Sequence, residues 1–401
     1  MDILAKKLGV EVKIGENLVK NAVSLILESG FEVKKCLLVT DNAILKNCSG
    51  FFDSTFFDEL GEVLILEEAR PNEENVEQIV AASEDFEGII ALGSGVISDL
   101  CKYSSFKAGK KYLIFTTAAS MNGYLSQNSS IIVNGHRKTL AAHLPKAVFC
   151  DYDLLKSAPK QMTKAGIGDI MCFYSCWFDW LLSHLLLETE YKSECFDMLA
   201  EKMGEFVGGY QDLVLGDDEL LKIMMEILLL SGASMTLAGG SYPASQSEHL
   251  IAHSYSMKYP EKADGVLHGL QIATTTLTSA KIQEELLSMD EICVRDLNFD
   301  ESKMSDFFGS EIAGECKGDY RIKSQLISQN VRRLNQELAT DWMDYCKVLS
   351  RIFVSESNLR EIFQHFSIAT GHEALGLDYS QYNEVVGYAR FVRDRFTCLD
   401  L

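Results

Sequence analysis

The chain has 401 residues, 47% of them hydrophobic, and carries a formal net charge of −21. That length exceeds what one core sustains and implies two domains, and the apolar content excludes a disordered chain. The acidic balance argues against a nucleic-acid surface or an anionic membrane, because both call for concentrated Lys and Arg.

The N-terminus, MDILAKKLGVEVKIG, has no long apolar stretch behind a basic start, so no secretory signal is expected. The 11 cysteines are odd in number, lack CxxC pairs and lie scattered in apolar segments. Free buried thiols in a reducing, cytoplasmic compartment fit this usage. The runs 36–40 (CLLVT), 63–66, 88–92 (GIIAL), 113–116 and 148–150 are short, apolar and β-branched, as strands covered on both faces are. Between them 73–83 and 97–108 have helical spacing. The alternation predicts an α/β N-terminal domain built on a Rossmann-like parallel sheet.

Asp41 ends the first of these runs, where a carboxylate can accept bonds from a ribose diol and would repel a 2′-phosphate, a tilt toward NAD over NADP. It suits equally the N-cap of a helix starting near Ala43. The segment GIIALGSGVISDLCK, 88–102, reads as a strand, a Gly93-Ser94-Gly95 turn and a helix start. Two glycines let the backbone approach a diphosphate, which the first-turn N–H groups then hold; a tight turn needs glycine on geometric grounds as well. The loop FTTAASMNGYLS, 115–126, supplies Thr116, Thr117, Ser120, Asn122 and Ser126, polar groups that suit a ligand with phosphates and sugars. An Asn-Gly pair inside 130–140 predicts a hairpin, with Arg137 and Lys138 near its solvated tip.

Past Pro159 the texture changes to Leu, Met, Glu and Lys, with only Pro243 and Pro260 from Gln161 onward. The expected domains are therefore 1–160 and an all-α 161–401. The stretches 170–187 and 220–240 approach membrane-span length, but Asp179, His184, Lys222 and Glu226 interrupt them, and both read as buried core helices rather than spans. Cys172 and Cys176, four apart among aromatics, are expected to pack in the core. In SQSEHLIAHSYSMKYPEKADGVLHG, 245–269, His249 and His253 are four apart and share a helix face, and His268 follows fifteen residues later, before a glycine. This is a metal-site or acid/base pattern, although an H-x3-H pair alone also suits a polar surface stripe. The mixed, charged segment 293–335 shows no legible packing.

The segments GSGVISDLCK, TTAASMNGYLSQNSSI, LPKAVFCDYDLLKSAPKQMTKAGIGDIM, SYPASQSEHLIAHSYSM and LHG, in that order between about 88 and 270, resemble the dehydroquinate-synthase-like superfamily. That superfamily includes the iron-containing alcohol dehydrogenases and glycerol dehydrogenase, and within it the resemblance is to the sn-glycerol-1-phosphate dehydrogenases. Residues 1–87 agree only in texture, and 280–401 hardly at all. The resemblance implies an NAD(P)-binding α/β domain, an all-helical metal- and substrate-binding domain and a cleft between them. Asp169, His249 and His268 are implied as ligands of one divalent metal. Phe173 stands where iron-type members add a histidine, which points to the three-ligand branch, where zinc or nickel is more usual than iron. His253 is implied as a substrate-contacting proton relay. Gly93, Ser94, Gly95 and Val96, with Asp99 on the same helix, are implied at the cofactor diphosphate, and Thr117, Ser120 and Ser126 beside the nicotinamide.

Two departures stand out. Ser94 occupies the middle of a loop that is usually GGG or GGS, which requires a negative φ there. Asn122 replaces an aspartate at a substrate-contacting, catalytic position, keeping the hydrogen-bonding shape and losing the charge. The implied activity is metal-dependent, NAD(P)-linked interconversion of a polyol or polyol-phosphate secondary alcohol and its ketone, with sn-glycerol 1-phosphate and dihydroxyacetone phosphate first, then glycerol or another polyol, in a homodimer or higher oligomer. Sugar-phosphate cyclases of the same fold need clustered cations, whereas Lys102, Arg137, Lys138 and Lys258 are few and dispersed, and they carry a Glu-containing motif in place of AGIGD. A non-catalytic descendant would be expected to have lost some of the three ligands and His253.

Overall fold

In the computed structural model, residues 6–133, 136–294 and 300–401 are described, with the side chains of His136 and Arg137 excepted. The strands are β1 (Glu11–Gly15), β2 (Cys36–Asp41), β3 (Glu62–Leu66), β4 (Gly88–Gly93), β5 (Lys111–Thr116), β6 (Asn128–Val133), β7 (His136–Ala141) and β8 (Ala147–Asp151). Six of them form one sheet in the order β1-β8-β5-β4-β2-β3, every pair parallel. The interior strands β4 and β8 are buried at every residue, as their unbroken apolar runs require. The edge strand β1, EVKIG, is only half-buried throughout, and its mixed composition gave no strand signal. β6 and β7 form the expected antiparallel hairpin; its Asn134-Gly135 turn lies outside the described residues.

The chain runs from β2 outward to β3 and then returns to the other side of β2 to begin β4. The carboxyl ends of β2 and β4 therefore flank a topological switch point, where open parallel sheets take their ligands. Asp41 and Gly93 each lie two residues beyond the paired Val39 and Ala91, and Gly93 pairs in turn with Thr116 of β5.

The chain divides into two compact units, Met1–Gly166 with Met198–Leu237, and Ile167–Asp197 with Ala238–Leu401. The expected boundary at 160 is thus displaced, and residues 198–237 join the sheet-bearing unit although they are helical. Within that unit a Cβ on Gly232 would lie 2.4 Å from the Asn122 carbonyl oxygen, and Thr236 Oγ1 donates to the Leu125 carbonyl at 2.8 Å. Sequence texture reports helicity, not the partner against which a helix packs. Lys160–Leu187 and Asp218–Ala238 are long and apolar enough to cross a membrane by length and composition, and 72% of each one's most apolar window is buried. Ten of the cysteines are buried and free, as expected, while Cys293 is exposed.

In the helical unit the described part of the unreadable segment from residue 301 onward is two helices, Glu301–Phe308 and the 40-residue Ser310–Leu349, joined at Gly309. Gly309 has φ 87°, a left-handed conformation that favours glycine. The buried seam of the long helix includes Tyr320, Ile327, Leu334, Leu338 and Trp342. Lys323 lies in the same seam, ion-paired at 2.9 Å with the buried Asp400, which is why the apolar period is broken in the sequence.

Asp179 ties three other segments of this unit together. Its buried carboxylate accepts from the backbone N–H of Ser247 at 3.1 Å, that of Cys398 at 3.0 Å and Gln283 Nε2 at 3.2 Å. Burial raises its pKa to about 6, against those stabilising hydrogen bonds. An acid whose folded pKa exceeds its unfolded value binds protons more tightly when folded, so its contribution to stability falls as pH rises from about 4 to about 6. Denaturant titrations should show a stability difference between the wild type and Asp179→Asn that changes by a few kcal/mol across that window and is level above it.

Candidate active site

The Ser247–Lys258 helix places His249 and His253 one turn apart, with ring centroids separated by 6.2 Å. His268 opens the next long helix, His268–Leu287, and its ring centroid is 5.2 Å from that of His249. Asp169 lies near the end of the Lys160–Met171 helix. One ligand atom from each of Asp169, His249 and His268 lies within 4.8 Å of the others, with Asp169 and His249 buried and His268 half-buried. Two adjacent glycines permit this convergence: a Cβ on Gly168 would lie 1.9 Å from the Gly269 carbonyl oxygen. The two backbones touch directly, one residue from Asp169 on one side and one residue from His268 on the other.

The donor set suits a divalent ion of intermediate softness. One carboxylate and two imidazoles satisfy part of a tetrahedral or five-coordinate shell and leave positions for substrate oxygen and water, the arrangement of a catalytic zinc-type site. Sequence reasoning missed the residue that orients it. Glu248 is fully buried, and its Oε1 lies 2.9 Å from His249 Nδ1 while also accepting from the Gln246 N–H at 2.8 Å. Its Oε2 accepts from Ser175 Oγ at 2.9 Å, and the Cys176 thiol donates to Oε1 at 3.0 Å. Burial alone would raise the Glu248 pKa, but the hydrogen bond and charge of His249, with those other donors, bring it down to about 2. With Nδ1 committed to Glu248, His249 has Nε2 left for a metal, and a carboxylate behind a ligating imidazole fixes its ring orientation and tautomer. The signal was an acid immediately before the first histidine. Glu248→Gln is expected to weaken metal binding by roughly 10–100-fold, measured by competition with a chromogenic chelator.

Cys172 sits beside this cluster rather than in remote core. Its thiol donates to the Asp169 carbonyl at 3.0 Å, and Cys172, Glu248 and His249 also have ligand atoms mutually within 4.8 Å.

In the sheet-bearing unit, the Gly93-Ser94-Gly95 turn leads from β4 into the helix Gly95–Lys107. Ser94 has φ −105°, the negative value its side chain requires. The two glycines differ in what surrounds them. A Cβ on Gly93 would fall 2.4 Å from Ile97 Cβ, so packing demands that glycine; a Cβ on Gly95 would make ordinary contact with Met121 at 3.4 Å. Neither crowding nor a left-handed backbone accounts for Gly95, which opens the helix at the carboxyl end of β4.

The other expected cofactor residues also make hydrogen bonds within the unit. Asp41 caps the Asn42–Cys48 helix, accepting from the Ile44 N–H at 2.8 Å. Thr116 is fully buried and donates to the Phe149 carbonyl at 3.3 Å. Asp99 receives Lys102 Nζ at 3.3 Å on one oxygen and the Ser130 N–H at 3.3 Å on the other. Lys102, a cation weighed for a cyclase, is wholly buried and clamps the loop by donating to the carbonyls of Gly123 at 2.7 Å and Asn128 at 3.0 Å. Thr117 and Ser120 are buried in the loop they share with the half-buried Asn122; the Thr117 N–H donates to the Gly93 carbonyl at 3.1 Å. Ser126 Oγ accepts from the Asn128 N–H at 3.1 Å. The Arg137 side chain lies outside the described residues.

Residues 13–159 match the profile of the iron-containing alcohol dehydrogenases. The glycerol-1-phosphate dehydrogenase [NAD(P)+] of Pyrococcus horikoshii is 34% identical over 276 residues, 67% of this chain and 77% of that protein. The chain belongs to the iron-containing alcohol dehydrogenase superfamily. Its group there is the glycerol-1-phosphate dehydrogenase-like one. The enzyme of the same name from Geobacillus thermodenitrificans is 32% identical over 199 residues, 49% of each chain, so the chain spans about half the length of that relative. Among solved structures, a probable glycerol dehydrogenase from Sinorhizobium meliloti 1021 superposes with a TM-score of 0.63 at 14% identity, covering 95% of this chain and 88% of that one. At such identity the likeness shows the fold, which is that of the iron-containing alcohol dehydrogenase superfamily.

Proposed function

We propose that this chain is a metal-dependent NAD(P)-linked dehydrogenase that interconverts the secondary alcohol of a polyol phosphate and its ketone, with sn-glycerol 1-phosphate and dihydroxyacetone phosphate as the first pair. The observation that carries the reading is the convergence of Asp169, His249 and His268, with His253 one turn further along the same helix. When bound, a divalent metal, zinc first, supplies Lewis-acid polarisation of the substrate oxygen and a nicotinamide nucleotide supplies the hydride chemistry. Asp169 and the two imidazoles hold the ion, and Glu248 keeps the His249 ring turned toward it. The His253 ring nitrogen takes up the hydroxyl proton as the ketone forms and returns it in reduction. Gly95 and the N–H groups that follow it hold the cofactor diphosphate, and Asn122 supplies a neutral hydrogen-bonding contact to substrate. The buried free thiols support a cytoplasmic location, and the extensive burial of both apolar helices supports core roles for them.

The test is anaerobic purification with metal analysis, followed by NADH and NADPH oxidation with dihydroxyacetone phosphate and with dihydroxyacetone. The reading expects about one metal per chain and turnover that favours the phosphorylated ketone and disappears in His268→Ala. Stoichiometric metal with turnover only on dihydroxyacetone would move the assignment to a glycerol or polyol dehydrogenase. A protein that binds neither metal nor nucleotide would refute both.

A further inference from the structure

The helical unit contains a cavity of about 150 Å³, lined by Trp180, Tyr242, Gln246, Arg395 and Phe396 among others. None of Asp169, His249, His253 and His268 lines it. Trp180 and Tyr242 form an aromatic wall, their rings stacked at 5.7 Å between centroids and 20° between planes. The Arg395 guanidinium sits 4.7 Å from the centre of the Tyr242 ring. Its Nη2 donates to Ser241 Oγ at 2.7 Å and its Nη1 to the Ser245 carbonyl.

Both acceptors are neutral, and among the described residues no carboxylate lies within ion-pair distance of Arg395; the exposed Asp394, at the rim of the same cavity, acts on it only at longer range. A guanidinium carries five N–H donors in a rigid fork, matched to a carboxylate, and only part of that capacity is used here. Holding such a charge partly out of water without a close counter-ion is unfavourable, and burial pulls the half-buried Arg395 below its usual pKa against the opposing charge of Asp394. A cation retained under those conditions at the wall of a cavity is a receptor for an anion.

Two further features narrow the ligand. A cavity of this volume accommodates a single aromatic ring, and Trp180 and Tyr242, stacked on each other with Arg395 against Tyr242, give it aromatic atoms to pack against. Glu190 and Asp394 also line the opening, and their charges disfavour a dianion such as a phosphate monoester. We propose that this cavity binds a small planar monocarboxylate, its carboxylate on Arg395 and its unsaturated body against Trp180 and Tyr242. Arg395 holds the Ser245 carbonyl next to Gln246, whose N–H donates to Glu248 behind His249, so the cavity lies close to the candidate metal ligands.

Isothermal titration of the full chain with benzoate, acetate and benzyl alcohol tests this without reference to any enzymatic activity. The expected result is saturable binding of one benzoate, with acetate and benzyl alcohol both weaker because each lacks half of the recognition. Arg395→Gln should weaken benzoate roughly tenfold to a hundredfold, the worth of charge-assisted hydrogen bonds. Tyr242→Leu, at a residue 39% exposed and so tolerant of change, should weaken benzoate while leaving acetate unaltered. Absence of saturable benzoate binding to the wild type would overturn the proposal. So would equal affinity for acetate, or unchanged benzoate affinity in either folded variant.

Discussion

Asp169→Ala is expected to leave the helical circular-dichroism signal intact, to bind divalent metal at least on the order of a hundredfold more weakly, and to reduce ketone turnover to background. The carboxylate is the one anionic donor among the three converging groups and is buried, and the nearby acid Glu248 is already engaged by Gln246, Ser175 and Cys176. Removing an orienting group behind a ligand already weakens metal by roughly 10–100-fold, and loss of a ligand itself exceeds that. His253→Ala separates the two roles assigned to the histidine helix. It should keep its metal and lose roughly 10²–10⁴ in turnover, the usual worth of a positioned acid or base. Metal analysis with steady-state NADH oxidation reads both variants, and full metal retention in Asp169→Ala would remove that residue from the ligand set.

Gly168→Ala is expected to be strongly damaging to both stability and metal binding. Its Cβ would stand 1.9 Å from the Gly269 carbonyl oxygen and 3.1 Å from the Ala273 methyl, and a backbone oxygen cannot move aside as a side chain does. The two segments must separate, which carries Asp169 away from His268 and opens the donor set. Overpacking of this kind costs about 2–4 kcal/mol, so thermal unfolding should shift down by several degrees and metal affinity should fall with it. Gly204→Ala is the control. Gly204 lies in the Glu194–Gly209 helix with nothing near the position of a new Cβ, and alanine there should be neutral or stabilising by up to about 1 kcal/mol. Equal melting temperatures and metal contents for the two variants would show that the Gly168–Gly269 approach does not hold the site together.

Much of this was readable from local pattern, because the physics that makes the pattern is local. A strand covered on both faces must be apolar at every position, so β2, β4, β5 and β8 announce themselves, as does a glycine turn where a strand passes into a helix. The spacing of His249 and His253 on one helix face follows from 3.6 residues per turn. β1 carries no such mark, since an edge strand half-exposed along its length need not alternate or be apolar. Lys323 hid the long helix for the opposite reason: a buried ion pair satisfies a seam position that an apolar residue normally fills, so the period looks broken until Asp400 is seen beside it.

The amino-acid sequence by itself determined the α/β start, the helical remainder and the residues whose chemistry suits a metal and a diphosphate. Tertiary structure alone decided that residues 198–237 pack with the sheet-bearing unit, that Glu248 stands behind His249, that Thr116 and Asp99 make hydrogen bonds within the sheet-bearing unit, and that packing demands Gly93 but not Gly95. The packing of 198–237 and the contacts of Thr116 and Asp99 with Phe149 and Ser130 join atoms far apart in the chain, whereas Glu248–His249 and Gly93–Ile97 are local pairs whose contact depends on side-chain directions that only the folded backbone sets.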